Sequence, residues 1–291
     1  MEKGPLAELL VERFENMPPQ LRIAARFVLD HPKDVALMSM REQAHQAGVS
    51  HSTMMRLARW LGLEGYEDMR SLYAQALREP GSGGLVRQGR EQDGDPGYST
   101  AGIVADALAA QISSLGEYGN AAQFIAAADV LGRARNIYSL GSRSGHSVAN
   151  HFVNVMSFLA ADGRKVNLVG DMTGHGLDAL QDAGKGDVLL AISMPPYERT
   201  TIEVARQSAR QGVAVIAITD SNVSPLARIA QEAIIVTSNS QSFFRSMAPA
   251  FAAVEILVAL TAARSEVNAA DRVKQSEEQL AAFGIYWKPP R

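Results

Sequence analysis

Apolar positions follow two different patterns along the chain. In the first part they recur with a helical period: Leu6, Leu9, Leu10 and Phe14 fall on one face of a helix. After about residue 100, short apolar runs alternate with amphipathic segments of roughly ten residues. The runs that predict strands are 136–140, 165–169, 188–193, 213–219 and 233–237. The first pattern predicts helices only, and the second predicts alternating strands and helices.

Short strands separated by helices typically form a parallel sheet with helices on both faces. Five strands with this spacing fit the doubly wound, flavodoxin-like order. The helices predicted between and after them span 148–160, 176–183, 200–211, 224–230, 248–264 and 268–282. We therefore predict an all-α N-terminal domain followed by an α/β doubly wound domain with a five-stranded parallel sheet. Ligands bind at the carboxyl ends of the strands in such sheets, so the loops that follow the strands matter most.

A composition break separates the two patterns. The residues from Pro80 to Thr100 are dense in glycine, proline and serine and almost free of large apolar side chains, which is typical of a linker. We predict a helical domain over 1–80, a linker over 81–100 and a second domain over 101–291. Each predicted domain is long enough to form its own core.

The segment 39–62 has the pattern of a helix-turn-helix. Ala44 is small at the point where two crossing helices must approach each other. Gly48 permits the positive φ that a tight turn requires. Ser50 or Ser52 can cap the second helix.

The polar side chains left on this segment predict a surface for double-stranded DNA. Hydroxyl groups at the start of a helix, followed by arginines, suit base edges and phosphates. The predicted DNA-binding residues are Arg41, Ser50, His51, Ser52, Thr53, Arg56 and Arg59. An ordinary helical hairpin with a solvated polar face is the alternative.

The charge distribution affects the DNA affinity that we expect, but not the prediction of DNA binding itself. The formal net charge of −3 excludes a protein that coats nucleic acid through its overall charge. Residues 1–80 carry ten Lys and Arg against eleven Asp and Glu, but within 39–62 three arginines oppose only Glu42. We expect a DNA affinity that is modest per subunit, sensitive to salt and dependent on dimerisation.

Cysteine and histidine usage limits the chemistry. The chain has no cysteine, which excludes a disulfide scaffold, a thiol nucleophile and thiolate-bound metal and fits a reducing cytoplasm. No two histidines have the spacing of a helical metal site, so we expect neither a metal nor a cofactor. The longest apolar run, 248–263, is shorter than the roughly 20 residues of a spanning helix and contains Glu255, so it predicts a buried helix. We expect a cytoplasmic protein that does not bind a membrane.

Loops at the strand ends carry the candidate ligand-binding residues. The loop after the first strand begins at Gly141 and leads into a helix whose N–H groups favour an anion. In the loop after the third strand, Arg199 can pair with a carboxylate or a phosphate. The predicted ligand-binding residues are Gly141, Ser142, Arg143, Ser144, His175, Ser193, Tyr197, Arg199, Thr201 and Ser240. Strand–helix turns that bind nothing are the alternative.

The segment with Ala44, Gly48 and Arg56 resembles the helix-turn-helix of RpiR-type bacterial transcriptional regulators, which join this domain through a linker to a sugar isomerase (SIS) domain. The resemblance covers roughly residues 5–80 and 105–264. It implies that the loop containing Gly141, Ser142 and Ser144 cradles a sugar phosphate.

The second strand-end loop departs from the family. The family pattern there is Ser-x-Ser-Gly-x-Thr, and Ser193 matches its first serine. Pro195 and Pro196 replace the second serine and the glycine, which removes a hydroxyl and two backbone donors. Thr200 or Thr201 provides a threonine that is displaced along the chain. The effector class therefore stays open among a phosphosugar, an unphosphorylated sugar and a sugar acid.

The resemblance implies a DNA-binding regulator whose SIS domain binds a sugar-like metabolite and controls binding to a palindromic operator, as a homodimer or homotetramer. The alternative is a SIS-type sugar-phosphate isomerase, which needs a general base such as Glu198, Glu203 or His175. A third possibility is a partner-binding protein that uses the helices of 248–282. We predict the regulator, with no catalytic residue and no enzymatic activity.

Overall fold

A computed structural model of the chain describes residues 6–78, 96–160, 163–170, 177–238, 244–265 and 268–287. Two predicted ligand-binding residues, His175 and Ser240, lie outside these ranges, as does most of the predicted linker. The chain divides into two compact units. One comprises the residues up to Asn120 together with Ser221–Ser224, and the other comprises the remainder.

The helices of the first unit are α1 (Ala7–Arg13), α2 (Pro19–Asp30), α3 (Pro32–Leu37), α4 (Met40–Gln46), α5 (His51–Trp60), α6 (Tyr66–Arg78) and α7 (Pro96–Ser114). The second unit contains β1 (Ile137–Gly141), β2 (Val166–Val169), β3 (Val188–Ile192), β4 (Ala214–Thr219) and β5 (Glu232–Ile235). Its helices are α9 (Ser144–Met156), α10 (Arg199–Arg210), α11 (Ala248–Ala263) and α12 (Ala269–Ala282), while α8 (Tyr118–Gly132) contains the boundary between the units.

Local sequence signals set the geometry of α4 and α5. Ser39 and Glu42 form a reciprocal capping box at the start of α4. Gly48 has a φ of 67° in the turn between the helices, as its position predicts. The inward faces are fully buried, for example at Met54 and Leu57 on α5. The predicted helix-turn-helix geometry is therefore present.

The five strands form one parallel sheet in the order β2-β1-β3-β4-β5, which confirms the predicted flavodoxin-like arrangement. Every residue of β1 and of β3 is buried, because central strands of a parallel sheet are covered on both faces. Gly141 at the end of β1 is in register with Ile192 at the end of β3. The loops that follow these two strands therefore start side by side.

Three elements differ from the sequence prediction. The segment 224–230 forms turns rather than a helix; a seven-residue segment with a proline near its start has too few hydrogen bonds to offset nucleation. The helix predicted over 176–183 is a short 3₁₀ segment, Leu177–Leu180, in the described part. Helix α7 begins at Pro96, inside the last five residues of the predicted linker, because proline is well tolerated in the first turn of a helix.

A polar network lies at the amino ends of β1 and β3, opposite the strand-end loops. Asp187, whose side chain is fully buried, accepts two hydrogen bonds from the Arg135 guanidinium, at 2.6 and 3.0 Å. It also accepts bonds from Asn136 and from the backbone N–H of Gly184. Burial alone would raise the pKa of Asp187, but its hydrogen-bond donors outweigh burial and lower the pKa.

No helix in the described part of the chain is long and apolar enough to cross a membrane. Across the same ranges, no group of three histidine, aspartate or glutamate side chains is arranged to hold a metal ion.

Candidate functional site

The exposed face of α4 and α5 brings together most of the predicted DNA-binding residues. His51, Ser52, Arg56 and Arg59 on α5 are exposed, and so is Arg41 on α4. We call these five residues the reading face. None of the three arginines has an interaction partner among the residues that the structure describes. Their guanidinium groups are thus available to an outside acceptor such as a phosphate.

The predicted DNA-binding residue Thr53, unlike the others, is not exposed. Its side chain lies in the first turn of α5 but is only 4% exposed. Ser50 caps α5 by accepting a hydrogen bond from the backbone N–H of Thr53 at 3.2 Å, and the two hydroxyls lie 2.9 Å apart. Ser50 itself is exposed, and its hydroxyl also lies 2.8 Å from that of Ser52. Ser50 therefore serves as the N-cap of α5 and stays a predicted DNA contact, while the burial of Thr53 favours a structural role.

The loop after β1 is tightly packed against its neighbours. A Cβ atom added to Gly141 would overlap the backbone carbonyl of Gly145, and one added to Gly145 would lie 3.1 Å from the carbonyl oxygen of Ile192. Both glycines are therefore required by close backbone approach. Arg143 and Ser144, the next residues of the predicted set, are exposed. The glycine spacing that suggested a ligand loop thus has a packing explanation of its own.

Glu198 joins the two strand-end loops. It is the N-cap residue of α10, and its Oε2 accepts hydrogen bonds from the backbone N–H of Thr201 at 2.8 Å and from the Thr201 hydroxyl at 3.1 Å. The Ser142 hydroxyl of the neighbouring loop donates to the same oxygen at 3.2 Å and lies 2.9 Å from the Thr201 hydroxyl. Two predicted residues, Ser142 and Thr201, therefore meet on a carboxylate that the ligand prediction did not include.

The hydrogen bonds keep Glu198 ionised. Burial alone would raise its pKa, but donors from Thr201 and Thr200 outweigh burial and lower the pKa below its ordinary value. A carboxylate at a helix N-terminus is further stabilised by the helix dipole. Glu198 is thus a fixed negative charge at neutral pH.

A second carboxylate lies at the end of β4. The Tyr197 hydroxyl donates a hydrogen bond of 2.7 Å to Asp220, which also accepts from the Thr219 hydroxyl at 3.3 Å. Ser193 is 6% exposed, and its backbone N–H donates to the carbonyl of Ile218. The strand-end cluster is defined here as Ser142, Tyr197, Glu198, Thr201 and Asp220. Arg199 begins α10 and is exposed.

The sequence analysis assigned Glu198 only to the alternative isomerase reaction, and the predicted ligand-binding residues did not include Asp220. Glutamate is not among the residues preferred at an N-cap, so no local signal marked Glu198 as the cap of α10. No local signal links Glu198 to Ser142, since they are 56 residues apart and meet only through the sheet.

Family comparisons agree with both parts of this structure. The model of the rpiR-family helix-turn-helix domain matches residues 5–80, and that of the SIS domain matches residues 131–263. The chain has the RpiR-family domain composition, a helix-turn-helix domain followed by a SIS domain. Its helical N-terminal part corresponds to the helix-turn-helix domain of the family. Its parallel sheet corresponds to the SIS domain.

Relatives include regulators and larger proteins. The HTH-type transcriptional regulator HexR of Pseudomonas aeruginosa is 27% identical over 223 residues, which cover 77% of this chain and 75% of HexR. The bifunctional protein glk of Paraburkholderia xenovorans is 29% identical over 98% of this chain, and that of Burkholderia thailandensis is 29% identical over 79%. This RpiR-type chain spans only 46% and 35% of the length of those two glk proteins.

Solved structures share the fold. The Vibrio vulnificus NanR protein, complexed with ManNAc-6P, superposes with a TM-score of 0.55 at 20% identity over 94% of this chain and 98% of its own. The sugar isomerase domain of an RpiR transcription factor from Sphaerobacter thermophilus gives a TM-score of 0.54 at 22% identity, over 63% and 98%.

Proposed function

We propose that this RpiR-type regulator binds a palindromic DNA operator through the reading face and that a sugar-like metabolite, bound at the strand-end cluster, controls that binding. One observation carries the proposal: the chain places three arginines without described partners beside a capped α5 and, in its other unit, gathers polar side chains where a parallel sheet binds ligands. Regulation requires two such sites on one chain.

The chemistry of the reading face supports operator binding. Arg56 and Arg59 lie three positions apart on α5 and hence on one side of the helix, opposite the buried Met54 and Leu57. Arginine pairs bidentately with guanine edges and with phosphates. A face with so few cations needs a second copy to reach useful affinity, so a palindromic operator and a homodimer or homotetramer follow.

The strand-end cluster supports a polyhydroxylated effector. Its hydroxyl groups and carboxylates supply closely spaced donors and acceptors, which suit a sugar better than an apolar ligand. The NanR relative of similar fold was solved with a sugar phosphate. A sugar-like effector therefore fits both the cluster and the family, while the phosphate is a separate question.

Isomerase activity is the second candidate, because the SIS fold also serves enzymes. Such a reaction needs a general base whose pKa lies near the working pH. Glu198 is the carboxylate best placed among the described residues, but its lowered pKa makes it a weak base and its hydrogen bonds hold it in place. We therefore propose a regulator that binds its sugar without converting it.

A DNA-binding assay with the chain's own upstream region tests the proposal. We expect Arg56→Ala to weaken binding by about tenfold or more, since each base-contacting arginine contributes about 1–3 kcal/mol. Arg70→Ala is the matched control, because Arg70 is a partly exposed arginine of the helical unit that pairs with Glu67 on α6. Equal binding by wild type and Arg56→Ala would overturn the assignment of this face.

A further inference from the structure

The Glu198 carboxylate, a negative charge of the protein itself, occupies the N-terminus of α10. Its Oε2 takes the backbone N–H of Thr201 together with the hydroxyls of Thr201 and Ser142. These are the kinds of donor that a phosphate uses at the start of a helix. The helix N-terminus is therefore an occupied position rather than a vacant anion site.

No cation offsets this carboxylate in the described part of the chain. Arg143 and Arg199 are both exposed, and the hydrogen bonds from Thr201 and Thr200 are what stabilise the ionised form of Glu198. Asp220 adds a second carboxylate through its 2.7 Å hydrogen bond from Tyr197. The strand-end cluster thus presents acceptors and negative charge, together with three hydroxyl groups.

We infer that Glu198 makes this site selective for an uncharged sugar and against the phosphate ester of the same sugar. The inference rests on the proposed sugar-sensing function and specifies its effector class. Sugar hydroxyls donate hydrogen bonds that carboxylates accept well. A phosphate group at the same place would face a like charge whose donors are already used, and such an arrangement rejects a ligand by repulsion rather than by shape.

Pro195 and Pro196 act in the same direction. Neither has a backbone N–H, so the loop between β3 and α10 offers fewer donors to an anion than a loop of serine and glycine would. The loop therefore lacks compensating donors that would let it hold a phosphate beside Glu198.

Binding measurements on the full chain test this inference. Isothermal titration and thermal-shift assays would compare hexoses, hexitols and their 6-phosphates as matched pairs, with inorganic phosphate as a further probe. The variants are Glu198→Gln, which removes the charge and keeps the size, and Glu198→Ser, which keeps a small capping hydroxyl. Glu277→Gln is the matched control, since Glu277 is exposed on α12 and remote in sequence from the cluster.

We expect the wild type and Glu277→Gln to bind the uncharged member of a pair at least tenfold more tightly than its 6-phosphate. Both Glu198 variants should reduce or reverse this preference by tenfold or more, because they remove a like-charge contact. A wild type that prefers the 6-phosphate, or a preference that both Glu198 variants retain, would overturn the inference. So would a failure of wild type and variants alike to bind any probe.

The DNA assay separates these outcomes from the broader proposal. If the protein does not prefer the uncharged sugar but still binds the operator through Arg56, the proposed regulator function is retained and its effector belongs to another class. If neither wild type nor variants bind the operator, but the wild type still discriminates between a sugar and its 6-phosphate, the proposed regulator function is overturned. The proposed role of Glu198 in selectivity is then retained.

Discussion

The reading face and the strand-end cluster hold their polar groups in opposite ways. Arg41, Arg56 and Arg59 extend from α4 and α5 without partners in the described residues. In the strand-end cluster, each functional group already bonds to another: Ser142 and Thr201 to Glu198, and Tyr197 to Asp220. This contrast is consistent with our proposal that the first surface binds a large charged partner and the second binds a small ligand.

This difference predicts different consequences of mutation. Removing an exposed, unpaired side chain affects binding and leaves stability nearly unchanged, because the folded state loses no contact. Removing a member of a hydrogen-bonded cluster leaves other buried groups without partners and lowers stability as well. The variants below test this contrast.

The double variant Arg56→Ala/Arg59→Ala should have the largest effect. We expect operator affinity to fall by about 100-fold or more, since each arginine contributes about 1–3 kcal/mol through base or phosphate contacts. The salt dependence of the remaining binding should also become shallower, because fewer counterions are released. Fluorescence anisotropy over a range of salt concentrations measures both quantities.

The free energy of unfolding of the same double variant should be within about 0.5 kcal/mol of the wild-type value. Urea titration provides that control. A loss of stability as large as the loss of binding would mean that the arginines support the fold, and the contrast between the two surfaces would fail.

Asp187→Ala should give the largest loss of stability. Asp187 is a fully buried carboxylate that accepts hydrogen bonds from Arg135, Asn136 and Gly184 at the amino end of β3, away from the strand-end cluster. We expect the free energy of unfolding to decrease by about 2–3 kcal/mol, because several hydrogen bonds to one charged acceptor are lost together. Urea denaturation followed by circular dichroism measures the change.

The pH dependence of Asp187→Ala provides a check with a defined sign. Because the folded state lowers the pKa of Asp187, its ionised form stabilises the protein above the unfolded-state pKa of about 4. That contribution is lost as the pH falls through the folded-state pKa. The stability difference between wild type and variant should therefore shrink below about pH 4; a difference that stays constant there would contradict the buried ionised carboxylate.

Glu198→Ala should have a smaller effect on stability and a separate effect on ligand response. Loss of the α10 cap should decrease the free energy of unfolding by about 1 kcal/mol. Operator affinity without effector should stay within about twofold of wild type, since Glu198 lies outside the reading face. Thermal denaturation and the anisotropy assay measure the two effects, and a tenfold change in effector-free DNA binding would contradict the separation of the two surfaces.

The sequence predicts the reading face better than the strand-end cluster for a physical reason. Helical period, capping residues and the turn at Gly48 are local signals, and they correctly separate exposed Arg56 and Arg59 from buried Leu57. The sheet order was also predictable, because alternating strands and helices have few favourable arrangements. The Ser142–Glu198 contact was not, since it depends on which strands lie side by side.

Thr53 shows the limit of local reasoning within the helical domain. The sequence analysis placed Thr53 among the DNA-binding residues, although the first turn of α5 lies at the border of the two faces. In the structure the Thr53 side chain is only 4% exposed, and its hydroxyl lies 2.9 Å from that of Ser50.

Thr53→Val should therefore have the smallest effect on DNA. Valine keeps the branched shape and nearly the same volume and loses only the hydroxyl, so we expect operator affinity to stay within about twofold while stability falls by about 1 kcal/mol. Arg56→Ala, one turn along the same helix, is the positive control in the same anisotropy assay. A tenfold loss of affinity in a folded Thr53→Val protein would show that the hydroxyl reaches the DNA, and the border of the reading face would then have to include the first turn of α5.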